Sequence, residues 1–280
     1  MQGLATMRLC IAALLSTVML GHAAAPDWPS FRGADRNNHS PDKNLLKSWP
    51  EDGPKLEWTA KGLGGGYSSV TLVGDRIYTL GNKGRQSHLL ALNRENGKVI
   101  WSTPIGASGG NLGSTPTVDG DHIYAIGQQG DLVCVTTKGK VVWKTNFQND
   151  FNGRCGGWRY TESPLIDGDR LIATPGGKGA VVVAFDKKSG KVIWKCDADL
   201  KQTRAGYSSI VIANVDGVKV YVQLVAGGVI GVRASDGKHL WTYDKLAFNT
   251  ANIPTPIVLG DRVFCSAGYG KGGALLQMKK

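Results

Sequence analysis

The chain has 280 residues, 41% of them apolar, with 33 Lys and Arg against 22 Asp and Glu for a formal charge of +11. That apolar content is ordinary for one globular core, and 39 glycines without a long amphipathic window point to a turn-rich, all-β class. The basic residues sit in scattered turns rather than beside stacking aromatics on one face, which argues against nucleic acid as the partner.

Residues 1–25 read as a cleavable export signal. Arg8 precedes an apolar run from Leu9 to Leu20, and Gly21, Ala23, Ala24 and Ala25 supply small residues for a cleavage site. The run is too short for a permanent transmembrane helix. Cys10 stands too early to serve as a lipid-attachment cysteine, and Met7 offers an alternative start. The expected location is the periplasm or the cell exterior. Residues 26–54 follow as an irregular, polar lead-in, with Trp28, Phe31 and Trp49 expected to tuck it against the fold. Leu56 to Thr59 is expected to form a lone outer strand.

From there the chain repeats itself. A-L-N-R-E-N-G-K-V-I-W ends at Trp101, C-V-T-T-K-G-K-V-V-W at Trp143, A-F-D-K-K-S-G-K-V-I-W at Trp194 and G-V-R-A-S-D-G-K-H-L-W at Trp241. With Trp58, these tryptophans stand 43, 42, 51 and 47 residues apart, a period that marks a repeat architecture. The segments opening at Ser68, Ser114, Ser163, Ser208 and Thr255 each read as a hairpin around a Gly-Asp or Asp-Gly turn. Two more strands follow each hairpin, and four antiparallel strands per repeat are one blade of a β-propeller.

The prediction is therefore a β-propeller over residues 55–280, with blades at about 67–103, 113–146, 162–198 and 207–244 and a partial one at 254–280. The last copy stops in its third strand, so about four and a half blades of an incomplete ring are expected. Trp101, Trp143, Trp194 and Trp241 are expected to be largely buried as plugs between blades, since an indole buries much area while its N–H finds a carbonyl. Gly97, Gly139, Gly190 and Gly237 are expected to turn the chain through positive φ.

The pattern A-x-D-x-x-x-G-x-x-x-W resembles the quinoprotein-like, or PQQ-like, β-propeller repeat. Ala184, Asp186, Gly190 and Trp194 match it fully, Asn93 replaces the aspartate after Ala91, and Gly231 and Arg233 replace Ala and Asp in the fourth copy. Within that family, W-P-S-F-R-G (Trp28 to Gly33) and the later G-G-G-Y-S-S look like secreted propellers related to the outer-membrane assembly factor BamB. The resemblance covers almost all of the chain after the N-terminal segment and is specific for fold rather than activity. It implies a non-catalytic scaffold in the cell envelope, with envelope proteins as partners and no cofactor. The alternative it implies is a PQQ-dependent alcohol or polyol dehydrogenase using calcium and a base aspartate. Those enzymes carry adjacent cysteines that form a ring disulfide over the quinone, and no Cys-Cys pair exists here. The mouth loops offer only Glu162 and Asp150 as acids.

Lys98, Lys138, Lys140, Lys187, Lys188, Lys191 and Lys238 flank the blade turns and read as solvated tips that protect strand edges. Cys134, Cys155, Cys196 and Cys265 are too far apart for a CxxC motif. Cys134 and Cys265 are expected as buried thiols, and a Cys155–Cys196 bridge is open as an alternative to free thiols. The histidines are scattered, no metal site is predicted, and no nucleophile elbow or phosphate loop is present.

Propellers bind ligands at the mouth of the central channel, on the loops that enter each innermost strand. The longest, Asn146 to Glu162, holds Arg154, Cys155, Trp158, Arg159 and Tyr160, and the others bring Tyr67, Asn111, Arg204, Tyr207, Asn249 and Asn252. Tyr67, Arg154, Trp158, Arg159, Arg204, Tyr207 and Asn252 are the ligand-binding candidates. Arginines and aromatics converging there suit a planar or polycarboxylate small molecule, or an acidic peptide. The other reading is that they fasten the loops themselves.

Overall fold

The computed structural model describes residues 26–110 and 112–279; residues 1–25, where the export signal is expected, Asn111 and Lys280 lie outside the described residues. Blade 1 is β1 (Thr71–Val73), β2 (Arg76–Lys83), β3 (Gln86–Asn93) and β4 (Val99–Ala107). Blade 2 is β5 (Thr117–Asp119), β6 (His122–Ile126), β7 (Asp131–Thr136) and β8 (Val141–Asn146). Blade 3 is β9 (Leu165–Asp167), β10 (Arg170–Ala173), β11 (Val182–Asp186) and β12 (Val192–Cys196). Blade 4 is β13 (Val211–Val215), β14 (Val218–Val225), β15 (Gly228–Arg233) and β16 (His239–Tyr243). Three further strands, β17 (Ile257–Leu259), β18 (Arg262–Ala267) and β19 (Gly272–Gln277), form the fifth sheet. All strand pairings within the five sheets are antiparallel and sequential, as expected of an incomplete propeller ring. One short helix, α1 (Phe147–Phe151), interrupts the pattern; Asn146 caps it and it buries Phe147 and Phe151.

The cores lie between blades, because a middle strand packs on both faces while the outer strand faces water. Every residue of β7 and β15 but the last is buried, whereas Val141, Val142, Val192 and Ile193 of the outer strands are exposed. Ile172, Trp194, Ile210 and Tyr221 fill the space between blades 3 and 4, and Tyr124, Phe147 and Phe185 that between blades 2 and 3.

The tryptophan repeat works from one blade to the next. A β-bulge just after Ala91, Cys134, Ala184 and Gly231 breaks the register at the residue paired with each tryptophan. The indoles of Trp58, Trp101, Trp143 and Trp194 then lie against Gly97, Gly139, Gly190 and Gly237 of the following turn. A Cβ would come within 2.9 Å of the ring at Gly139 and 2.7 Å at Gly190, and both glycines have positive φ, so no other residue fits. The indole N–H donates to that same turn: Trp101 to Thr137 O at 3.0 Å, Trp143 to Lys187 O at 3.0 Å and Trp194 to Ala234 O at 3.2 Å.

Several expectations need correction. Only Trp194 is buried; Trp101, Trp143 and Trp241 are half-buried, because the outer face of each ring is the perimeter of the arc. Trp49 is 66% exposed rather than tucked in. Residues 56–59 form no strand: Leu56 is exposed, and Trp58 alone docks, half-buried, on blade 1. Cys155 and Cys196 carry free thiols rather than a bridge.

The inner side of the arc has its own repeat. The loops entering the inner strands align as Gly66–Val70, Leu112–Pro116, Tyr160–Pro164, Gly206–Ile210 and Asn252–Pro256. The fourth residues of the last four form a hydroxyl ladder: Thr115 N donates to Ser163 Oγ at 3.0 Å, Ser163 N to Ser209 Oγ at 3.0 Å and Ser209 N to Thr255 Oγ1 at 3.1 Å. Ser163 is thus the counterpart of Ser69, not of Ser68 as the hairpin reading implies. The Ser68 place in blade 3 is taken by Glu162. The lead-in runs across this inner side, Trp28 exchanging backbone hydrogen bonds with Leu72 and Pro29 O accepting from Val118 N at 2.8 Å.

Candidate functional site

The antiparallel meander alternates its turns between two ends of the arc. One end carries the tryptophan turns; the other carries the inner-strand entry loops together with the turns between second and third strands, and this is the mouth. Its largest irregularity is residues 147–164, where α1 and the following coil replace a short connection. The N-cap side chain of Asn146 accepts from Gln148 N and Asn149 N, and Asn152 ends the helix in the left-handed conformation. Asp150 accepts from Thr145 Oγ1 and Asn146 N; that backbone donor first, then the hydroxyl, hold its carboxyl below the usual range. Its hydrogen bonds tie the end of β8 to the helix.

Beyond the helix the chain is stitched to the next blade. Ala205 N donates to Arg154 O at 2.8 Å, and Cys155 pairs with Ala205 as an isolated parallel bridge. This places Arg204 beside the 154–159 segment. Burial pushes the Cys155 thiol up, opposed by the nearby positive charges of Arg159 and Arg204. Trp158, half exposed, meets Tyr207 edge-on with ring centroids 5.4 Å apart, and its backbone N–H donates to Tyr207 Oη at 3.4 Å. Gly156 lies under that phenol, leaving no room for a Cβ. Arg204 also donates to Asn249 O in the blade 5 loop.

Of the sequence candidates, Arg159, Arg204, Trp158 and Tyr207 therefore form one cluster around Cys155. Arg154 turns to the other side, lining with Arg204 a cleft of about 860 Å³ between blades 3 and 4. Tyr67 is 77% exposed on the blade 1 loop and shares no ring contact or side-chain hydrogen bond with this cluster among the described residues. Asn252 is buried, its Nδ2 donating to Val225 O at 2.8 Å and Phe248 O at 3.0 Å, so it fastens its own loop. Asn249 accepts through its backbone, and Asn111 lies outside the described residues.

Sequence reasoning passed over three contributors. Lys178, in the turn between β10 and β11, and Lys201, between β12 and β13, line the same cleft. The available signal was their place at mouth-side loop positions, which the lysine count by blade turns ignored. The third is Arg36 of the lead-in, which is buried and donates to Ser163 O at 3.0 Å and Pro164 O at 3.1 Å. Near it Glu162 accepts from Thr174 N at 2.7 Å, Thr174 Oγ1 at 2.9 Å and Gln223 Nε2 at 3.1 Å. Burial raises Glu162 to about 7 against the pull of those donors and of Arg36, and burial lowers Arg36 to about 10.

The residues present do not fit a quinone and its calcium. The four described cysteines stand in β7, the blade 3 entry loop, β12 and β18, so no vicinal lid is assembled. Glu162 is spent on Thr174 and Gln223, and no three His, Cys, Asp or Glu side chains group as metal ligands among the described residues. No helix of the described residues is long and apolar enough to cross a membrane.

A family model described as outer membrane protein assembly factor BamB matches residues 43–138 and 85–279. The BamB of Burkholderia pseudomallei is 25% identical over 202 residues, covering 67% of this chain and 49% of that protein. That of Shewanella oneidensis is 27% identical over 190 residues, covering 65% and 44%. The chain spans about half the length of these curated relatives. Among solved structures, BamB from Moraxella catarrhalis superposes with a TM-score of 0.52 at 18% identity, covering 80% of this chain and 61% of that one. Quinohemoprotein alcohol dehydrogenase from Comamonas testosteroni gives 0.60 at 13%, covering 91% and 46%. At such identities the structural likeness shows the propeller fold alone.

Proposed function

The chain belongs to the family described as outer membrane protein assembly factor BamB, and from that premise we propose that it is an exported, non-catalytic scaffold acting in outer-membrane assembly. The family match along residues 43–279 is the observation that carries this reading. The mouth supports it: a long entry loop locked to its neighbour presents Trp158, Tyr207, Arg159 and Arg204 on one surface. Rigid aromatic and guanidinium anchors of this kind dominate protein-binding surfaces. The partners are envelope proteins, and the location is the periplasmic side of the envelope.

The test is genetic and biochemical. Deleting the gene from its host should lower the amount of folded β-barrel protein in the outer membrane, and the wild-type chain should restore it. Unchanged barrel content in the deletion strain would overturn the assembly role.

A further inference from the structure

The cleft between blades 3 and 4 has a charge pattern that the family reading does not require. Arg154, Lys178, Lys201 and Arg204 reach it from three separate segments, and none of them forms an ion pair among the described residues. Its two acids leave an excess of positive charge, and Asp197 is engaged by Gly179 N at 3.1 Å. The frame beneath the cations is fixed before any ligand arrives. Thr203 Oγ1 donates to Gly176 O at 3.0 Å, and Ala205 is tied to Arg154 as described above. At about 860 Å³ the cleft is of the size that holds a sizeable ligand. Residues 199–202 are shared with a second cleft of about 700 Å³ toward blade 5, where Lys201 and Lys271 are balanced by Asp199 and Asp244, so the excess of positive charge is confined to the first cleft.

We propose that this cleft binds a run of carboxylates on an extended acidic polypeptide segment. Unpaired cations on both walls of an open trough match carboxylates that are spaced along a chain. The inference rests on the scaffold reading for its partner class but not for its chemistry. Guanidinium groups give directional pairs with carboxylates while the lysines contribute point charge, so binding is electrostatic and falls with salt.

The experiment titrates the full chain with an oligoglutamate peptide, an oligoglutamine peptide of equal length, and citrate, at low and at physiological salt. The expected result is saturable oligoglutamate binding that weakens with salt, no oligoglutamine binding, and much weaker citrate binding. Lys178→Gln together with Lys201→Gln should reduce oligoglutamate affinity about tenfold or more, without moving the melting temperature. Lys188→Gln with Lys191→Gln, on the tryptophan turn at the opposite end of blade 3, should leave it unchanged. No oligoglutamate binding at low salt overturns the proposal, as does equal loss in both lysine pairs, which would mean diffuse attraction. Citrate binding as tightly as the peptide would overturn the extended-chain form. None of these outcomes bears on outer-membrane barrel content, so the assembly role stands or falls separately.

Discussion

At the outer rim, Trp101, Trp143 and Trp194 each end on the next blade's turn glycine and donate to a carbonyl of that turn. At the mouth, the entry loops of the same blades keep only a hydroxyl ladder in common and differ in nearly everything that faces outward. The rim must solve one geometric problem identically at every blade boundary, so its residues recur. The mouth is held in place by the ladder and by backbone pairing, which frees side chains such as Arg159 and Trp158 from structural duty. The difference separates what folds the arc from what it presents.

The sharpest way to break that comparison is at the rim. Trp194→Ala removes a buried ring from an interblade core and should cost about 3–5 kcal/mol, enough to unfold a marginal domain. Trp241 is half-buried and donates to no following turn among the described residues, so Trp241→Ala should cost about 1–2 kcal/mol by the apolar area lost. Chemical denaturation of both variants measures this. Equal losses would mean that docking on the next blade adds nothing to simple burial. A milder version compares two glycines at positive φ. Gly237→Ala adds a methyl against the Trp194 ring and should cost about 2 kcal/mol or more, whereas Gly260, with open space around it, should lose only about 1 kcal/mol.

The buried inner side responds to pH. Glu162 titrates near 7 when folded and near its ordinary 4.5 when unfolded. The folded state therefore holds the extra proton between those values, and its stabilising effect is complete below about pH 4.5 and lost as pH rises through about 7. The loss is on the order of 3 kcal/mol. Stability curves for the wild type should slope down across that window, and Glu162→Gln should flatten them. A slope unaltered by the substitution would place the titration on another group.

The rim was the legible part of the sequence because its constraints are local: a turn glycine, a bulge and a tryptophan within eleven residues. The blades followed from it. The direction of docking was not legible, because Gly139 and Gly190 read as servants of their own turns until the rings of Trp101 and Trp143 are seen lying on them. The hydroxyl ladder lies at the start of the inner hairpins but joins residues nearly fifty positions apart. Glu162 was masked by a one-residue slip against Ser68. Among mouth residues, chemistry alone grouped Arg159, Arg204, Trp158 and Tyr207. It could not separate them from Asn252, which burial turns into a fastener, or reveal Lys178 and Lys201, whose loops meet only through blade packing.

The smallest expected effect is the most informative about the mouth. Arg159 sits at φ 68, a left-handed conformation that an arginine adopts at some cost. If its side chain were a fastener, replacing it would destabilise the loop. If the residue serves binding, the strain is retained for the guanidinium's position, and glycine relieves it while losing the charge. Glycine also loosens the unfolded chain, which offsets part of that relief. Arg159→Gly should therefore leave stability within about 0.5 kcal/mol of the wild type, while weakening capture of a cross-linked envelope partner at physiological salt. A loss of more than about 1 kcal/mol with unchanged capture would move Arg159 from the presented surface to the scaffolding beneath it.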